Sequence, residues 1–239
     1  RALLRCGLLL ADASEEALRD AAVLIEDGRV QSVGRYNALR RSYPLASEQG
    51  GADLVVLPGF VDAHSHGRGI TLPAQDIEDA PLELWLARLT AGTRLDPRDD
   101  ALVAATDLLA TGVTSAQVFF HGFSGPQDYA RDLAATAAGL REGGIRFDLV
   151  AGITDQHEFV PPVGVEPPNE AARSLAYPER GLDAAAFFEL FDALSETYAR
   201  DPLGGIRLVL GPVAPQWCSD AVLRGVAGRS QGGARVHTH

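Results

Sequence analysis

Lysine and methionine are both absent from this sequence, and cysteine occurs only twice. All 21 basic residues are therefore arginine. A chain without lysine forms no Schiff base through a lysine amine, anchors no pyridoxal phosphate and completes no phosphate-binding loop that ends in lysine. Cys6 and Cys218 cannot make a disulfide framework, so a reducing, cytoplasmic setting is expected. The missing methionine includes the initiator, and the chain is expected to be a trimmed part of a longer polypeptide. No apolar run approaches the ~20 residues of a membrane span. The opening ten residues, interrupted by Arg5, read as a strand and not as a secretion signal. A net charge of −11 with scattered arginines speaks against nucleic acid or an anionic membrane as partner.

What is present is a chain of 239 residues, 46% hydrophobic, enough for one large domain with a smaller one beside it. Residues 1–56 read as a small β unit. Within it, residues 22–26 and 29–33 flank Asp27-Gly28, a strong two-residue hairpin signal. Gly50-Gly51 reads as the way out. From Leu54 onward, short apolar strands alternate with helices, as in parallel α/β folds. Asp96 and Pro97 supply an N-cap and a first-turn proline, Leu102, Ala105, Leu108 and Leu109 form one face, and Gly112 ends that helix. Further helices are expected near 127–142, 183–200 and 219–231. Strands are expected at 54–66, 114–120, 146–153, 207–213 and 235–239. The natural host is a (β/α)8 barrel, with its active site at the C-terminal ends of the strands. Such a barrel needs about eight strands, and five are read here. Residues 57–239 are therefore expected to be a barrel domain left incomplete at its C-terminal side.

The run Leu57-Pro58-Gly59-Phe60-Val61-Asp62-Ala63-His64-Ser65-His66 carries most of the functional information. Two histidines at i and i+2 of a strand share one face, roughly 7 Å apart along the backbone. They can converge on one metal at about 2.0–2.1 Å each. A second His-x-His pair, His237 and His239, follows at the end of another short segment. Two such pairs point to a metallohydrolase.

The stretch from Pro58 to His66 resembles the amidohydrolase superfamily, in which Asp-x-His-x-His ends the first barrel strand after a small β-sandwich domain. Many members bridge two metals with a carboxylated lysine from the fourth strand. Here there is no lysine, and no carboxylate ends the 207–213 strand, so the resemblance narrows to the mononuclear aminohydrolase branch. Thr111-Gly112-Val113-Thr114-Ser115, Pro81-Leu82-Glu83-Leu84-Trp85-Leu86 and Gly211-Pro212-Val213-Ala214-Pro215 are similar to segments of its nucleoside, guanine and triazine members. The resemblance implies one divalent metal, zinc in preference to iron, held by His64, His66 and His239. The proton-shuttling glutamate would stand three residues after His239, beyond this chain, and His237 is left as a lining or structural residue. Implied too is hydrolysis at a ring carbon bearing an amino group, by hydroxide formed when the metal lowers the pKa of water towards ~7. Amide, imide or chloride leaving groups, or a catalytically dead scaffold, are the alternatives.

Other residues complete the expectation. Trp85 contacts substrate by the same resemblance. His121, at the end of the second strand, lines the site or serves the structure. His157 opens a proline-rich loop reaching to about residue 180, which reads as a lid. Gln216 and Trp217, after the fourth strand, form a stacking and amide-recognising wall or simply pack. Nucleoside-type members carry a histidine where this chain has Val213, and an acidic ribose-binding residue where it has Arg94. A small heterocyclic substrate without ribose (a purine base, pterin, pyrimidine or triazine) is thus expected. The fold often forms homodimers.

Overall fold

The computed structural model describes residues 1–122, 126–156, 168–171, 182–200 and 206–239. These divide into two compact units, residues 1–59 and 60–239. Among the described residues no helix is long and apolar enough to cross a membrane.

The first unit contains strands β1 (Ala2–Leu9), β2 (Leu18–Glu26) and β3 (Arg29–Arg35), helix α1 (Tyr36–Ser42) and strand β4 (Ser47–Val56). They form one four-stranded sheet in the order β3-β2-β1-β4. The Asp27-Gly28 turn takes positive φ at both residues, 51° and 71°, as a tight primed hairpin turn requires. Leu3, Ala22 and Leu24 meet Leu39 of α1 on one face, while Cys6, Leu9, Ala21 and Val23 pack on the other. Gly50-Gly51 does not lead out of the unit: both residues lie inside β4, which pairs in parallel with β1. Gly50 has φ 83°, and a Cβ there would stand 2.3 Å from the Arg5 carbonyl oxygen. The glycines permit close strand pairing at an irregular register. The expected 54–66 strand is likewise two strands, because Pro58-Gly59 separates β4 from its successor.

The second unit alternates strand and helix: β5 (Phe60–Ser65), α2 (Leu82–Ala91), α3 (Pro97–Ala110), β6 (Val113–Phe120), α4 (Pro126–Gly143), β7 (Arg146–Ile153), α5 (Ala184–Ala199), β8 (Arg207–Pro212) and α6 (Asp220–Gln231). The sheet order is β5-β6-β7-β8 with every pair parallel. Capping explains the starts of α3, α5 and α6. Asp96 accepts from the N–H groups of Arg98 and Asp99, Asp183 from Ala186, and Ser219 from Val222. Gly112, at φ 86°, follows the C-cap of α3. Residues 235–239 form no full strand. They run beside β8 through one parallel bridge, Leu210 to Val236, with Leu210 N–H donating to Arg235 O at 2.9 Å and His237 N–H to Leu210 O at 2.9 Å.

Strand alternation sorts the core into two layers. Val118, Phe120, Leu149, Ala151 and Leu210 face the helices and join Leu133, Leu140, Phe187 and Val222. Phe119, Val150, Val209 and Val213 face the other way and pack with Trp217. In a flat sheet, β5 and the 235–239 segment would stand four strand spacings apart, roughly 19 Å. Yet His64 and His237 touch at 2.7 Å. The sheet therefore curls towards its Phe119 face, and that curl assembles the site.

Candidate metal centre

Five imidazoles gather at the C-terminal end of the parallel sheet. His64 sits in β5, His66 one residue past it, His121 one residue past β6, and His237 and His239 on the segment beside β8. Beneath them lies the ring of Phe119, 1% exposed, with its centroid 4.6 Å from His239 and 4.8 Å from His121. His64, His66 and His237 stand around it at 6.0, 6.1 and 5.7 Å. Two strand glycines make room for this ring. A Cβ on Gly152 would fall 2.9 Å from Phe119 Cε1, and one on Gly211 3.0 Å from Cζ.

His64, His66 and His239 each offer a nitrogen, and the three lie within 4.8 Å of one another. The Nε2 atoms of His64 and His66 are 3.3 Å apart. Ligands of a tetrahedral ion at about 2.05 Å stand about 3.3 Å from one another, so this pair already has the required separation. His239 Nδ1–H donates to the Val213 carbonyl at 3.0 Å, leaving Nε2 with its lone pair free to bind. A backbone partner on the far nitrogen is the usual support of a metal-binding imidazole. The His64 N–H donates to Asp62 Oδ1 at 3.0 Å, which ties the aspartate of the Asp-x-His-x-His sequence to the backbone here.

The electrostatics suit neutral imidazoles. Partial burial, then the neighbouring His64 and His239 rings and the Arg68 guanidinium, push His66 down to about 4. Burial, followed by His66, His239, Arg68 and His64, brings His121 to about 3. His237 is lowered by burial and then by His64 and His239. The sign of the pH effect follows. In the unfolded chain these rings take protons below about 6.5, whereas folded His66 and His121 resist protonation until about 4 and 3. The metal-free protein should lose stability as pH falls from about 6.5 towards 4 and keep it above that range. Thermal melts of metal-free protein across pH 4–8 check this. A flat melting temperature over that span would contradict it, and His121→Gln should shrink the slope.

The remaining expected residues are dispersed. Trp217 occupies a short 3-10 turn, Pro215–Trp217, and packs on the Phe119 face, with its carbonyl accepting from Thr154 Oγ1 at 2.9 Å. Gln216, in the same turn, is exposed. Trp85 is half-buried on α2, and the described contacts do not bring it to the histidines. His157 and the expected lid lie outside the described residues, apart from 168–171. Arg94 forms an ion pair with Asp132 of α4, and Val213 is buried beside Phe119. Phe119 and Gly152 have no role in the sequence pattern, and Gly211 enters it only as part of the Gly211-Pro212-Val213-Ala214-Pro215 segment. Glycine inside a buried strand was the available signal, since it marks close approach of a neighbour.

A family model described as an imidazolonepropionase-like composite domain of bacteria matches residues 21–46. The chain is 25% identical over 229 residues to a 5-methylthioadenosine/S-adenosylhomocysteine deaminase of Moorella thermoacetica, covering 91% of this chain and 44% of that protein. It is 29% identical over 234 residues to an 8-oxoguanine deaminase of Pseudomonas aeruginosa, covering 92% and 48%. A mutant of atrazine chlorohydrolase from Arthrobacter aurescens, solved with zinc and atraton, superposes with a TM-score of 0.72 at 19% identity. That match covers all of this chain and 52% of the other, and it is a likeness of fold. The chain spans about half the length of the curated relatives it matches.

Proposed function

We infer that this chain, of the amidohydrolase superfamily by its relatives and its sequence pattern, forms the metal-binding part of a hydrolase of non-peptide C–N bonds that deaminates a cyclic amidine. The observation that carries the reading is the convergence of His64, His66 and His239 within 4.8 Å at the C-terminal end of a curled parallel sheet. The first unit is proposed to be part of a β-sandwich, and strands β5 to β8 with residues 235–239 the first five strands of a (β/α)8 barrel. The donor set of three imidazoles suits a single divalent ion, zinc before iron. When bound, such an ion lowers the pKa of water towards ~7 and so supplies hydroxide at neutral pH.

The chain's own residues have simpler tasks. His64, His66 and His239 would hold the ion, with the His239 tautomer set by the Val213 carbonyl. Phe119 and Trp217 supply an apolar floor and wall. His121, neutral at pH 7, would line the heterocycle's side of the site. The resemblance puts the proton-shuttling glutamate three residues after His239, and a hydrolase built on this centre would rely on it there. Two observations favour a base over a nucleoside. Val213 offers no imidazole, and the guanidinium of Arg94 is engaged by Asp132.

Full-length, zinc-loaded protein should release ammonia from at least one aminated purine base, pterin, pyrimidine or triazine. Chelation should abolish that turnover, and added zinc should restore it. Release of chloride or an alkylamine without ammonia would favour another leaving group on the same fold. Loaded protein that turns over none of these substrates would sink the reading.

A further inference from the structure

His237 is the histidine of the cluster to which the resemblance gives no binding role. The geometry points to His237 as the positioning residue that fixes the tautomer and orientation of His64, an inference that rests on the metal-centre reading above. Its Nε2 lies 2.7 Å from His64 Nδ1. The ring centroids are 4.9 Å apart with planes only 14° from parallel. The difference between those two distances is about two imidazole radii, so the nitrogens lie nearly on the line joining the rings. This is an in-plane, edge-to-edge hydrogen bond, aimed along the lone pair of an imidazole nitrogen.

The direction of that bond is set by the other side of His64. Its Nε2 faces the Nε2 of His66 at 3.3 Å. As a metal ligand beside His66, His64 must present a lone pair at Nε2, which puts its ring proton on Nδ1. His64 Nδ1–H then donates to His237 Nε2, and His237 carries its own proton on Nδ1. The acceptor is firmly placed, because the His237 backbone N–H donates to Leu210 O at 2.9 Å and its ring stands edge-on to Phe119. A ligand on β5 is thus oriented by a side chain from the opposite edge of the curled sheet. Partners of this kind typically contribute 10–100-fold to metal affinity.

The test compares wild type, His237→Leu and His237→Gln at full length. Zinc affinity is measured by competition with a chromophoric chelator, and the cobalt-substituted visible spectrum and the melting temperature of each protein are recorded. Leucine keeps bulk and removes the acceptor, whereas glutamine returns an oxygen close to the position of Nε2. The expected result is zinc binding about 10–100-fold weaker in His237→Leu with a shifted cobalt spectrum, and recovery of most of that loss in His237→Gln. Wild-type affinity in the leucine variant would overturn the assignment. So would a glutamine variant as weak as leucine, which would mean that the ring merely packs. A wild-type protein that binds no stoichiometric metal would instead overturn the metal centre, and the positioning role with it.

Discussion

His66→Ala is expected to abolish stoichiometric metal retention and to lower kcat/KM by about 10³-fold or more. A bound metal contributes several kcal/mol of transition-state stabilisation, and each 1.36 kcal/mol is a factor of ten in rate. With His66 gone, the pair of Nε2 atoms 3.3 Å apart no longer exists. His64 and His239 remain, and two imidazoles hold an ion far more weakly than three. The fold should survive, because His66 lies beyond the end of β5 and makes no strand pairing. Metal content after gel filtration, kcat/KM and circular dichroism together decide the matter. An alanine variant that keeps one equivalent of zinc and full turnover would remove His66 from the ligand set.

The second large effect is expected at the floor. Phe119→Ala should cost about 3–5 kcal/mol, the usual range for emptying a buried aromatic position. Total stabilities are only about 5–15 kcal/mol. For a unit of this size each kcal/mol moves the melting temperature by roughly 2–4 °C, so a fall on the order of 10 °C is anticipated. The loss should not stop at stability, since Phe119 is the surface on which His121 and His239 rest. Metal affinity should therefore fall although no ligand has been touched. Gly211→Ala approaches the same contact from the other side. Its Cβ would meet Val150 Cγ1 at 2.7 Å and Phe119 Cζ at 3.0 Å, a degree of overpacking that costs about 1–3 kcal/mol. Calorimetry and zinc titration of both variants check the argument. A Phe119→Ala protein with wild-type melting temperature and zinc affinity would refute it.

Much of this is legible in the sequence alone. Helical patterning, with Asp96 as the N-cap of α3, locates α3, α5 and α6 within a residue or two of their observed ends. The Asp27-Gly28 hairpin is a local matter of two positive φ values, and local chemistry suffices to read it. The misplacements occurred where a contact distant in sequence decides. Gly50-Gly51 looks like a loop signal, but the approach of β1 makes it a strand interior. Leu54 to His66 looks like one strand, but its first residues pair with β1 and its later ones with β6. Residues 235–239 look like a strand, yet a single bridge to Leu210 is what they form.

The sequence by itself determined the strand–helix alternation, the lack of lysine in these 239 residues and the two His-x-His pairs. These follow from residue identity and short-range periodicity, which need no knowledge of neighbours. Only the tertiary structure decided that the pairs meet. Bringing His64 to His237 across 173 residues requires the sheet to curl, and on that curled face Phe119 sits in space left by Gly152 and Gly211. Packing of that kind is a property of surfaces in contact, and no single stretch of the sequence encodes it.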